Sequence, residues 1–132
     1  MPACVRRPAS PPRAVLSVLF PPSAIGAAQR YALSTFGYQP FYAVTAPVKA
    51  AQGAAIDQWF AGSDVAGREV GSVKAPTLVA DGTEDALDPV SNDKQLAGLI
   101  KGAQLALYPG AGHAFWFQDE GAFLARLDAF LR

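Results

Sequence analysis

The chain has 132 residues, about half of them apolar, and its eleven basic and eleven acidic side chains cancel. That is one domain's worth of chain with enough apolar content to bury a core, and the neutral balance gives no reason to expect nucleic acid or an anionic membrane as a partner. A single cysteine, Cys4, excludes an internal disulfide and leaves the redox compartment open.

Residues 1–14 hold four prolines and three arginines but almost no large apolar side chains, so a disordered tail is expected there. Arg6 and Arg7 ahead of the apolar run 14–20, with small residues from Ala24 to Ala28, imitate an export signal. The run is short and ends in Pro21-Pro22, so a cytoplasmic location is the expectation. No stretch approaches the roughly 18 apolar residues of a membrane span.

From Val15 to Gly71 the pattern is helical and loop-rich. Ser23 can cap a helix whose Ile25, Ala28, Ala32 and Leu33 share a face, and the pattern breaks at Phe36-Gly37. An aromatic stretch of Tyr38, Phe41 and Tyr42 follows, interrupted by Pro40. Thr45 then caps a second helix with Val48, Ala51, Ala55, Ile56, Trp59 and Phe60 at helical spacing, and Gly62 stands where a left-handed terminator is wanted. Tyr31, Phe41, Trp59 and Phe60 read as packing residues, Ser63-Asp64 and Gly67-Arg68 as connection.

Beyond Ala75 the signals sharpen. A buried strand over 77–80 runs into a loop opened by Gly82 and rich in acids: Asp81, Glu84, Asp85 and Asp88. Asp88-Pro89 reads as a helix start, Val90, Leu96, Leu99 and Ile100 as the inward face of a helix over 89–100, and Gly102 as its end. A second strand is expected over 103–108. A final helix over 121–131 carries Phe123, Leu124, Leu127, Phe130 and Leu131 on one side. Strand, helix, strand, helix implies a right-handed parallel crossover with at least one open sheet edge.

Two short motifs follow these strands in order: Gly82-Thr83-Glu84-Asp85 and Gly110-Ala111-Gly112-His113. In them the segment 74–132 resembles the C-terminal end of α/β-hydrolase fold enzymes, where the first kind of loop presents the acid of a catalytic triad and the second its base. The resemblance implies an α/β class, specifically a partial α/β-hydrolase fold. Two parallel strands with a crossover and C-terminal helices, residues 73–132, would follow a helical cap-like region, residues 15–72, that covers an apolar acyl or alkyl pocket. It makes Asp85 the acid and His113 the base.

The residues themselves leave room for that assignment. His113 is the sole histidine and hence the one candidate for a base that titrates near neutrality. Asp88 has a local explanation as a helix cap, Asp81 can close its own strand's turn, and Glu84 should face water. Phe115, Trp116 and Phe117 suit a pocket wall and packing under the last helix equally well.

The third role is missing. A triad needs a nucleophile on a G-x-S-x-G elbow, and none of Ser10, Ser17, Ser23, Ser34, Ser63, Ser72 and Ser91 lies in one. The oxyanion hole belongs to the same absent segments. The chain therefore reads as part of a fold, descended from a Ser-Asp-His hydrolase of ester-like or other small apolar substrates and inactive alone. A complementary N-terminal half would complete it through the open strand edge. The alternative is a non-catalytic module that binds or dimerises through that edge. No cofactor is expected: one histidine and one distant cysteine make no metal site, and there is neither a G-x-G-x-x-G nor a P-loop lysine.

Overall fold

In the computed structural model, which describes residues 13–36, 44–62 and 66–132, the elements alternate between a helical first half and a strand-bearing second half. Helix α1 (Arg13–Leu19) leads through a single 3-10 turn, Pro22–Ala24, into α2 (Ile25–Phe36). Helix α3 (Ala46–Phe60), the short α4 (Ala66–Glu69) and a second 3-10 turn, Val70–Ser72, precede strand β1 (Leu78–Gly82). Then come α5 (Val90–Leu99), β2 (Gln104–Tyr108), α6 (Phe115–Gln118) and α7 (Glu120–Leu131). The class is mixed α/β. Among the described residues no helix is long and apolar enough to cross a membrane.

The strands pair in parallel, Leu78 opposite Gln104 through Gly82 opposite Tyr108, with α5 as the crossover. β1 starts one residue later than expected and runs two further, taking in Asp81 and Gly82. Two core clusters lie around this pair. Tyr108, Ala111 and Phe115 form one, with Ala80, Ala106 and Phe123 against it. Phe20, Ala24, Ala27, Ala28 and Ala114 form the other, with Leu16, Leu19, Tyr31 and Phe117 around them. The second cluster fastens the N-terminal helices to the chain that follows β2. Phe20, Tyr31 and Phe117 are its aromatic contacts, with ring centroids 5.4 to 6.5 Å apart, the offset and edge-on spacing at which such rings attract.

Several expected faces are corrected. In α2 the buried positions are Ala27 and Ala28, which join Ala24 of the preceding turn against Phe20, while Ile25 and Leu33 are exposed. Helix α3 forms with Thr45 at its N-cap position, but without a side-chain cap bond and with none of its residues buried, so Trp59 and Phe60 are surface residues here. In α5 the inward positions include the polar Asp93, whereas Leu96 and Leu99 face out. α7 likewise leaves Leu124 and Leu131 exposed. Nor does Asp88 cap α5, since Pro89 takes that position and the Asp88 carboxylate accepts from the Asn92 side chain, 2.6 Å away. Gly67-Arg68 falls within α4 rather than in a connection. The tail up to residue 12, the stretch holding Tyr38, Phe41 and Tyr42, and Ser63-Asp64 lie outside the described residues, while residues 13 and 14 belong to α1.

Candidate functional site: a buried acid and a histidine at the strand ends

The loops after β1 and β2 are zipped together by backbone bonds. The Thr83 amide donates to the Tyr108 carbonyl at 3.0 Å and the Glu84 amide to the Ala111 carbonyl at 2.8 Å. The Gly110 amide donates to the Thr83 hydroxyl at 2.8 Å. So close is the approach that a Cβ on Gly82 would collide with the Ala111 carbonyl. That is the physical need for glycine at the head of the acid loop. Gly110 turns the second loop with a φ of 72°, a conformation that glycine enters without a Cβ clash. Gln118 then clasps this loop from α6: its Nε2 donates to the Gly110 carbonyl at 2.9 Å and its Oε1 accepts from the Gly112 amide at 3.3 Å.

The structure brings Asp85 and His113 into contact. Asp85 Oδ2 lies 2.7 Å from His113 Nδ1; the acid's side chain is wholly buried and the imidazole is 38% exposed. The acid's other oxygen, Oδ1, accepts the amides of Leu87 at 2.6 Å and Asp88 at 3.1 Å. Burial alone would push this carboxyl up, but those amides and the contact with His113 outweigh it and hold Asp85 below the ordinary carboxylate range. An anion fixed at three points orients its partner. With Nδ1 committed to Asp85, the ring's Nε2 is the nitrogen left to accept a proton. Trp116 stands edge-on to the imidazole at 6.1 Å, while Phe115 is buried against Tyr108 and Phe117 joins the N-terminal cluster. Phe115 and Phe117 are thus packing residues, and Trp116 is a neighbour of the imidazole.

The end of the N-terminal helix packs against the histidine loop. The Ala114 amide donates to the Leu19 carbonyl at 3.0 Å, and a Cβ on Gly112 would come within 2.8 Å of that oxygen and of Pro21. Beside the acid loop an apolar cleft of about 290 Å³ is lined by Val15, Val18, Leu19 and Leu87.

A second group of acids stands behind the acid loop. Asp81 and Asp93 are each only 5% exposed. Burial raises Asp81 from its ordinary 3.8 to about 7, helped by the charges of Asp85 and Asp93 and opposed by the Gly82 amide, which donates to Asp81 Oδ1 at 2.7 Å. Burial also raises Asp93. Glu84 is exposed, as expected.

Sequence reasoning did not find Asp93, Gln118, or the part played by Leu19 and Phe20. The spacing Val90, Asp93, Ala97, Ile100 puts Asp93 on the inward stripe of α5, and that was the signal available for it. Nothing local marks Gln118 or Leu19, whose partners are distant in sequence or lie in loop backbone.

Fold and site together define a mixed α/β segment in which a buried carboxylate orients an imidazole at the ends of two parallel strands. No protein-family model matches the chain. A stretch of 60 residues is 42% identical to polyketide synthase ThaQ of Burkholderia thailandensis, and it makes up 46% of this chain and 3% of the synthase. The chain thus matches only a small fraction of that relative's length.

Proposed function

We propose that this chain carries the acid and base of a Ser-Asp-His hydrolase site on the closing part of an α/β-hydrolase fold, with Asp85 orienting His113. The observation that carries the reading is the 2.7 Å contact of His113 with the fully buried side chain of Asp85, formed by two glycine-headed loops at the ends of adjacent parallel strands. In such a site the imidazole Nε2 takes the proton of a serine hydroxyl as that oxygen attacks an acyl carbon, then returns it to the leaving group; the buried carboxylate holds the tautomer and stabilises the transient imidazolium.

The serine and oxyanion amides must come from outside this chain, since no G-x-S-x-G is present in it. The chain alone is then inactive. The small apolar cleft lined by Val15, Val18, Leu19 and Leu87 suits a short acyl or alkyl group, near the lower end of ligand-pocket sizes. The stretch shared with a polyketide synthase adds polyketide-type acyl chains to the esters worth offering.

The test is an acyl-ester assay on the chain alone and mixed with a separately produced N-terminal half of such a fold carrying the serine elbow. Hydrolysis is expected only in the mixture, and His113→Ala should abolish it. Hydrolysis by the mixture that survives His113→Ala would overturn the reading.

A second reading, a non-catalytic module that pairs through its sheet, is favoured by one observation. β1 and β2 have only each other as strand neighbours among the described residues, so an edge of each is left for another strand. A concentration-dependent dimer without esterase activity, alone or complemented, would select it.

A further inference from the structure

The loop that holds Asp85 is flanked by three other carboxylates whose arrangement the Asp85–His113 contact does not use. Asp81 is the last residue but one of β1, Asp88 ends the loop and Asp93 sits in the first turn of α5; one oxygen from each lies within 4.8 Å of the other two. A gathering of acids is no site by itself. Here, however, Asp81 and Asp93 are 95% buried, and Oδ2 of each is sealed from solvent without a hydrogen-bond donor among the described residues. No lysine or arginine among the described residues forms an ion pair with any of the three. Buried anions left without a donor or a counter-charge are strongly unfavourable, so the arrangement calls for a positive partner or a proton.

We infer that Asp81, Asp88 and Asp93 bind a divalent cation, and that the ion is Ca²⁺. The donor set is all oxygen, which selects a hard cation over zinc or copper. Ligand preference separates the hard cations. Mg²⁺ keeps several waters and is usually held by one or two carboxylates, whereas Ca²⁺ accepts several carboxylates in a flexible shell, and here three carboxylates converge. Three carboxylates leave coordination positions for water, as Ca²⁺ takes six to eight oxygens.

The ion would tie together the two ends of the acid loop. Asp81 lies at its start, and Asp88, whose amide donates to Asp85 Oδ1, at its end. Bound Ca²⁺ therefore stiffens the seat of Asp85 without touching His113. This inference is independent of the hydrolase reading, because it concerns binding and stability rather than turnover.

The experiment uses the full chain, stripped with a chelator and desalted, at pH 7.5, followed by calorimetric titration and thermal unfolding with millimolar CaCl₂ or MgCl₂. One Ca²⁺ site is expected, with a rise of several degrees in melting temperature, a smaller effect of Mg²⁺, and loss of most of both signals in Asp93→Asn and Asp88→Asn. Those amide variants remove charge repulsion, so they should fold without the ion, and circular dichroism checks this. If Ca²⁺ gives neither heat nor stabilisation while Asp93→Asn melts higher than the parent, Asp81 and Asp93 merely share a proton and the inference fails. It also fails if Mg²⁺ binds and Ca²⁺ does not, or if the folded variants keep the full Ca²⁺ response.

Discussion

The carbonyl oxygen of Leu19 accepts the amide of Ala114 at 3.0 Å, so the end of the first helix is bonded to the residue beside His113. Phe20, 3% exposed and wedged against Tyr31 and Phe117, holds that junction. Phe20→Ala should destabilise the chain by about 3 to 5 kcal/mol, read as a shift in urea midpoint. Hydrogen exchange at the Ala114 amide should accelerate at the same time. An unchanged exchange rate would mean that the histidine loop keeps its shape without the N-terminal helices.

The amides of Leu87 and Asp88 both end on Asp85 Oδ1. Asp85→Ala strands them as well as His113, and should cost about 1 to 3 kcal/mol. Asp85→Asn retains an oxygen for the two amides and should lose clearly less. Equal losses in chemical denaturation would show that the loop does not depend on these bonds.

Two glycines give opposite expectations. Gly82→Ala forces a methyl into the Ala111 backbone, and, since neither partner is a flexible side chain, the loss should exceed the roughly 1 to 3 kcal/mol of ordinary overpacking. Gly98, within α5, has open space where its Cβ would go. Gly98→Ala should therefore stabilise by up to about 1 kcal/mol through helix propensity. Melting temperatures of the pair check both signs, and a tolerated Gly82→Ala would refute the close approach of the loops.

Stability should fall from mildly acid to neutral pH in the presence of chelator. Asp81 has a folded pKa of about 7 against an ordinary 3.8, so between those values the folded chain holds more proton than the unfolded one. Its contribution is complete below about pH 4 and is lost as pH rises through about 7. Asp85 acts in the opposite sense: held below the ordinary range, it contributes above that range and its contribution disappears on further acidification. Thermal melts between pH 5 and 8 should therefore slope downward, and Asp81→Asn should flatten them. A slope that persists in the variant would assign the effect to another group.

Much of the second half was legible in the chain because its signals are local. Apolar runs ending in Gly82 and Gly110 mark strands that meet turns, and Gly102 closes a helix in the left-handed region with a φ of 80°. The parallel pairing follows from a short crossover between two such strands, which sets the two following loops side by side. Helix faces were less legible. In α3 the periodic apolar residues remain exposed, and in α5 an acid takes an inward position, because periodicity reports that a face exists and not what stands opposite it.

By itself, then, the order of residues determined the strand and turn positions and supplied the single histidine, since these rest on backbone chemistry within a few residues; the choice of Asp85 among the neighbouring acids rested on the resemblance of its loop. Tertiary structure alone decided that Leu19 and Gln118 support the histidine loop and that Asp81 and Asp93 are buried together. Those relations join backbone and carboxylates from separate elements, and both the strength of a contact and the desolvation of a charge depend on neighbours that only the folded chain assembles.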